Sequence, residues 1–209
     1  MVLDLGCNAG FFSFCIAGKA KNVLGVDFDS KQIEICLEKA RANNIRNVRF
    51  LVKVLTPETI DRLPSADVCL FLSVLHHMMS ASGVYDCNAK DSRGVENAIN
   101  LLKAIRNKTQ VLFFEMGQSN ENHEWANKLP DMGREPEKWI LENLLRPAGF
   151  SRIKVISPPE WNGLIGKMRK SIHSSGLVDV IDREMILFRF IRRILSYDAR
   201  DCRYLFKAE

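Results

Sequence analysis

The six cysteines, at 7, 15, 36, 69, 87 and 202, include no CxxC pair and no spacing that suits a metal. That argues against a zinc ribbon or a paired-thiol redox motif, and no metal site is expected. It fits reduced, buried thiols in a cytoplasmic protein. No apolar run approaches the ~20 residues of a membrane span. No charged leader precedes an apolar stretch at the N-terminus, so no signal peptide is expected. Extreme charge is also missing. A formal net charge of +5 on 209 residues falls short of a dedicated nucleic-acid binder, and it permits an anionic substrate without demanding one. Repeats and low-complexity tracts are absent. What remains is 46% apolar and 26% charged, enough for a real core in one globular domain.

The chain alternates between strand-like and helix-like patterns. Strands are predicted at 2–5, 22–26, 48–52, 67–74, 110–114, 152–156 and 203–207. Helices are predicted at 11–19, 30–43, 56–62, 94–106 and 135–145. The second carries Ile33, Leu37 and Ala40 at helical spacing, with Asp29 or Ser30 as its N-cap. Thr56 and Pro57 suit the start of the third. Nearly continuous apolar strands alternating with helices predict an α/β fold. The expectation is a Rossmann-like, doubly wound, mostly parallel sheet with helices on both faces.

Two segments break this rhythm. The loop 117–134 is polar and carries His123 and Trp125, and long loops after strand ends often carry function. Residues 157–201 separate the last two strands and read as a helical insertion. Within it, Leu177 to Tyr197 forms an amphipathic pattern that follows the basic group Lys167, Arg169 and Lys170. One domain over 1–209 is therefore expected: a cofactor-binding core over 1–156, the insertion, and a last strand over 202–209. The insertion is read chiefly as packing on the sheet or pairing across a homodimer. A lid over the site or peripheral contact with a membrane surface are the other readings. The sequence opens directly on its first strand.

The segment from Val2 to Gly10 is a strand, a glycine-bearing turn and a helix start. Gly6 and Gly10 let the backbone turn and approach a ligand closely. Asp4 offers a carboxylate near the strand end, where open α/β sheets bind ligands. Asp27 ends the second strand at a spacing of ~20 residues, where an acid accepts hydrogen bonds from ribose hydroxyls. A dinucleotide fingerprint would need glycine at 8 and 11, and the chain has Asn8 and Phe11. The missing glycines favour a cofactor without a pyrophosphate, namely S-adenosyl-L-methionine.

VLDLGCNAGFFS resembles the first motif of class I S-adenosylmethionine-dependent methyltransferases, GVDFD their second, and LSVLHHM the end of their fourth strand. The resemblance covers residues 1 to 156 and implies the cofactor contacts. Asp4, Gly6, Cys7 and Gly10 would line its methionine end, with Asn8 a further contact, Asp27 would hold the ribose, and Phe28 would lie against the adenine. Val54 and Ser73 complete the set. The acid that many relatives carry after the third strand is absent from the run 51–55, so backbone groups would have to read the adenine. The runs VLFFEMG and PEKWILENLLRPAGF look most like methyltransferases acting on glycans or their terminal phosphates.

Methyl transfer needs alignment more than acid–base chemistry, and a base helps only if the acceptor must lose a proton. His76 and His77, just past the fourth strand, are the candidate bases. Glu115 ends the fifth strand and is the candidate for orienting a substrate. The expected function is methyl transfer from S-adenosyl-L-methionine to a small-molecule or glycan-type acceptor. Two alternatives are RNA modification and a degenerate cofactor-binding subunit that supports a partner. Against RNA, the chain shows no interleaving of basic and aromatic residues of the kind stacking platforms need.

Overall fold

The computed structural model describes residues 1–80, 92–121, 123, 124, 126–156 and 203–209. The strands are β1 (Val2–Leu5), β2 (Val23–Asp27), β3 (Val48–Val52), β4 (Ala66–Leu72), β5 (Thr109–Glu115), β6 (Ile153–Ile156) and β7 (Leu205–Ala208). The helices are α1 (Phe11–Ala17), α2 (Ser30–Ala42), α3 (Pro57–Asp61), α4 (Leu75–Ser80), α5 (Ser92–Lys108) and α6 (Pro136–Ile140), the last running into a π-helical turn, Leu141–Leu145. The expected amphipathic helix at 177–197, the basic group before it and Trp125 lie outside the described residues.

The strands form one seven-stranded sheet in the order β3-β2-β1-β4-β5-β7-β6. The first five are parallel to their neighbours, and β7 runs antiparallel between β5 and β6. This is the mostly parallel, doubly wound sheet that the alternating pattern predicts. The strand order reverses between β1 and β4, and that reversal opens a crevice at the carboxyl ends of the strands.

Burial on both faces follows from the two-residue period of a strand. Leu3, Leu5, Cys69, Phe71, Leu112 and Phe114 pack on one face against Leu101, Leu102 and Ile105 of α5, Ile60 of α3 and Ile140 of α6. Val2, Val23, Phe50, Leu70 and Leu72 point the other way, onto Phe14 of α1 and Ile33, Cys36 and Ala40 of α2. In α2 the buried stripe differs from the expected one. Cys36 is buried and Leu37 is 36% exposed. Either residue continues a helical stripe from Ile33, and the chain buries the one whose thiol reaches the Asn8 carbonyl.

Local chemistry sets the element ends. Asp29 is the N-cap of α2 and accepts from the Lys31 amide at 2.9 Å. Thr56 and Thr59 form a capping box around α3, with Pro57 in its first turn. The strand expected to run to Val74 stops at Leu72. Ser73 turns the chain with φ +58°, and the residues after it form α4.

Candidate active site

The turn from β1 to α1 lies at the reversal of strand order. Gly6 (φ +76°), Asn8 (φ +47°) and Gly10 (φ +81°) all take left-handed backbone conformations, which glycine adopts freely and asparagine tolerates best among the rest. The Gly6 and Cys7 amides both donate to the Val26 carbonyl, at 2.7 and 3.1 Å. The space beside each glycine belongs to the protein. A Cβ on Gly6 would stand 2.2 Å from Val74 Cγ2, and one on Gly10 would stand 2.8 Å from Phe14 and 2.9 Å from Cys36 Sγ. These glycines fold the turn tightly onto its own core, which holds its outward-facing backbone in place.

Asp27 braces the turn from β2. Its Oδ2 accepts from the Asn8 amide at 2.8 Å and its Oδ1 from the Asp29 amide at 3.0 Å. A carboxylate has about four lone-pair sites, so both oxygens keep capacity for a ligand's hydroxyls. Asp4 lies inside β1, 3% exposed, and accepts from Ser13 Oγ at 2.6 Å. Burial pushes its carboxyl up to about 6, against the lowering pull of the Ser13 hydrogen bond. A buried acid with that affinity for a proton gains from a cation placed beside it. Cys7 is buried, and its thiol is pushed far above the usual range by its hydrogen bond with Cys36 and by burial. A thiol held in its neutral form in this way is a poor nucleophile.

Phe28 follows β2 and is 74% exposed. Val52 and Val54, at and beyond the end of the neighbouring β3, are about half exposed, and the Lys53 amide donates to the Asp27 carbonyl at 2.8 Å. Strand pairing thus brings exposed apolar side chains to the same end of the sheet as Asp27. A carboxylate with spare lone pairs, an apolar rim and a buried acid together fit an adenosine carrying a cationic tail.

The carboxyl ends of β4 and β5 carry a different assembly. The Ser73 amide donates to the Glu115 carbonyl at 3.0 Å, and Ser73 Oγ donates to Glu115 Oε2 at 2.6 Å. Arg203, just before β7, donates through Nη1 to both Ser73 Oγ and Glu115 Oε1 at 3.0 Å. Its Nε and Nη2 form a fork on Glu121 at 2.9 and 2.8 Å. Glu121 Oε1 also accepts from the Gln118 amide at 2.8 Å. Burial pushes the Glu121 carboxyl up, while Arg203 pulls it down.

His76, on α4, is 1% exposed, and its Nδ1 accepts from the Gly117 amide at 3.0 Å. Burial, with the nearby charge of Arg203, holds its imidazole well below the usual histidine range. The ring is therefore neutral, with its proton on Nε2. His77 is exposed, with its ring centroid 4.1 Å from that of His76. The candidate residues thus fall into two groups. Asp4, Gly6, Cys7, Asn8, Gly10, Asp27, Phe28 and Val54 surround the ends of β1, β2 and β3, while Ser73, His76, His77 and Glu115 gather past β4 and β5. Sequence reasoning missed Ser13, Glu121 and Arg203. An arginine abutting the apolar last strand was the one local sign, and its partners lie 82 to 130 residues away.

Residues 1–143 match the methyltransferase-domain family. The chain is 31% identical over 136 residues to the O-antigen chain terminator bifunctional methyltransferase/kinase WbdD of Escherichia coli, covering 64% of this chain and 18% of that protein. It is also 38% identical over 71 residues to an uncharacterized RNA methyltransferase of Clostridium tetani, covering 32% of this chain and 15% of that one. The crystal structure of WbdD superposes with a TM-score of 0.57 at 27% identity, over 74% of this chain and 30% of that chain. The chain thus spans less than a fifth of the length of these curated relatives. With the strand order, the glycine turn and the acid ending β2 already in place, the match over residues 1–143 places the chain in the class I S-adenosylmethionine-dependent methyltransferase family.

Proposed function

We propose that the chain binds S-adenosyl-L-methionine across the ends of β1 and β2 and transfers its methyl group to a glycan-type acceptor held past β4 and β5. The observation that carries this reading is Asp27, fixed by two backbone amides while its oxygens keep lone pairs for a ribose. Phe28 and Val54 offer apolar cover for an adenine. Asp4 supplies a buried negative charge for the cationic end of the ligand. The glycan-type acceptor is favoured by the 31% identity to an O-antigen chain terminator.

The bound sulfonium supplies an already activated methyl group, so the protein's work is alignment. Glu115 has one oxygen on Ser73 and the other on Arg203. That arrangement suits a residue that orients an acceptor better than one that removes its proton. The Nδ1 lone pair of His76 is occupied by Gly117, so His76 steadies the wall of the site. His77, exposed beside it, takes the proton when the acceptor is a hydroxyl. Free thiols at Cys7, Cys15, Cys36 and Cys69 suit a reducing, cytoplasmic setting. Among the described residues no helix is long and apolar enough to cross a membrane.

The test is transfer of a labelled methyl group from S-adenosyl-L-methionine to purified O-antigen glycan and, in parallel, to ribosomal RNA. Label in the glycan that disappears with His77→Ala supports the reading. Label in RNA alone overturns it.

A further inference from the structure

Arg203 reaches three separate parts of the chain at once. It holds Ser73 at the turn after β4, Glu115 at the end of β5, and Glu121 inside the loop 117–134. The side chains of Glu115 and Glu121 are 5% and 0% exposed, and that of Arg203 is 16% exposed. Glu121 in turn fixes the Gln118 amide, and one residue earlier the Gly117 amide is fixed by His76. The start of the loop is therefore held from two sides. Glu121 on one side depends on Arg203 for the cation opposite it, and His76 on the other feels the charge of the same guanidinium.

We propose that Arg203 is a positioning residue of the acceptor wall. It braces the last strand against the ends of β4 and β5, and it sets where Ser73, Glu115 and the first residues of the 117–134 loop stand relative to the cofactor end of the sheet. This rests on reading that end of the sheet as the acceptor side. A planar fork suits the task because two parallel N–H groups on one carboxylate fix direction as well as distance. Its remaining reach to Glu115 and Ser73 lies at the other end of the same rigid plane. A lysine ammonium is a point charge and fixes no such plane. The partners of the brace stand at the ends of β4 and β5 and in the loop after β5, whereas Asp27 ends β2 on the far side of β1, so adenosylhomocysteine binding through Asp27 is expected to survive its loss.

The test compares the full wild-type chain with Arg203→Lys and Arg203→Ala. Three readouts are used: amide hydrogen exchange, NMR titration of the histidine ring protons, and calorimetry with adenosylhomocysteine. In both variants, exchange at Gln118 accelerates about tenfold or more, while adenosylhomocysteine binding stays within about twofold of wild type. The His76 ring titrates higher in Arg203→Ala, which has lost the neighbouring cation, and stays low in Arg203→Lys, which keeps it. Should Arg203→Ala fail to fold, Arg203→Lys decides alone. Wild-type protection of Gln118 in that variant overturns the proposal, and so does loss of adenosylhomocysteine binding while the strand amides remain protected. Failure of the wild-type protein to bind adenosylhomocysteine sinks the methyltransferase reading instead, and the exchange pattern separates the two.

Discussion

The Asn8 amide donates to Asp27 Oδ2 at 2.8 Å, across 19 residues of sequence and from one strand end to the next. The same carboxylate accepts the Asp29 amide, so Asp27 fixes the turn after β1 as well as the start of α2. Asp27→Ala leaves two backbone donors without their acceptor, which costs about 1–3 kcal/mol of stability. Asp27→Asn keeps one acceptor oxygen and costs less. Both weaken adenosylhomocysteine binding by about tenfold or more, because the ribose loses a charged acceptor. Denaturant unfolding and calorimetry on the same samples check this. Undiminished affinity in Asp27→Ala would remove Asp27 from the cofactor site.

Asp4 predicts a pH dependence of stability. Burial raises its carboxyl from 3.8 to about 6 in the folded chain. Between those values the folded state holds a proton that the unfolded state has released. The contribution of Asp4 is therefore most favourable below 3.8 and is lost as pH rises through about 6, by about 3 kcal/mol in all. Asp4→Asn has no charge to bury and can still accept from Ser13. The variant should match wild type in acid and exceed its stability near neutrality, read as a Tm difference that grows with pH and levels off above about 6. A difference that does not change with pH would show that the carboxyl ionises without a burial cost.

Gly6 is held by two constraints that can be separated. Its φ of +76° penalises any side chain by about 1–2 kcal/mol, and a Cβ would also strike Val74 Cγ2 at 2.2 Å, which adds about 1–3 kcal/mol. Val74→Ala relieves only the second. A double-mutant cycle of Gly6→Ala with Val74→Ala should therefore show a favourable coupling of about 1 kcal/mol or more, with a residual cost from the backbone. Strict additivity would mean that Val74 does not press on Gly6.

Local rules made much of this protein legible. The end of β1 is legible because its apolar run stops at Gly6, and Asp29 and Thr56 announce their helices as caps. The glycine turn and Asp27 are legible because a strand, a glycine pair and an acid ending the next strand form a pattern of short-range spacing. Helix α4 was not, because Val74, Leu75, Met78 and Met79 continue the apolar run of β4. What ends that strand is a left-handed serine, which no residue pattern announces. The brace at Arg203 was hidden for a different reason. It joins residues far apart in sequence, and that long-range pairing appears only once β7 has inserted beside β5. Glu115 was therefore identified by its strand end alone, without the partners that occupy its carboxylate.

Phe28 separates binding from folding most cleanly. At 74% exposure its ring contributes little to the core, so Phe28→Ala should change stability by no more than about 0.5 kcal/mol. A nucleoside laid against that ring would cover apolar surface that now faces water, and an aromatic contact adds about 0.5–1.5 kcal/mol beyond area burial. Adenosylhomocysteine affinity should then fall about tenfold, while affinity for a fragment without the adenine, such as homocysteine, stays as it was. Equal affinity of Phe28→Ala and wild type for adenosylhomocysteine would show that the adenine rests elsewhere. The exposed apolar rim formed by Phe28, Val52 and Val54 would then have to be covered by something other than the cofactor.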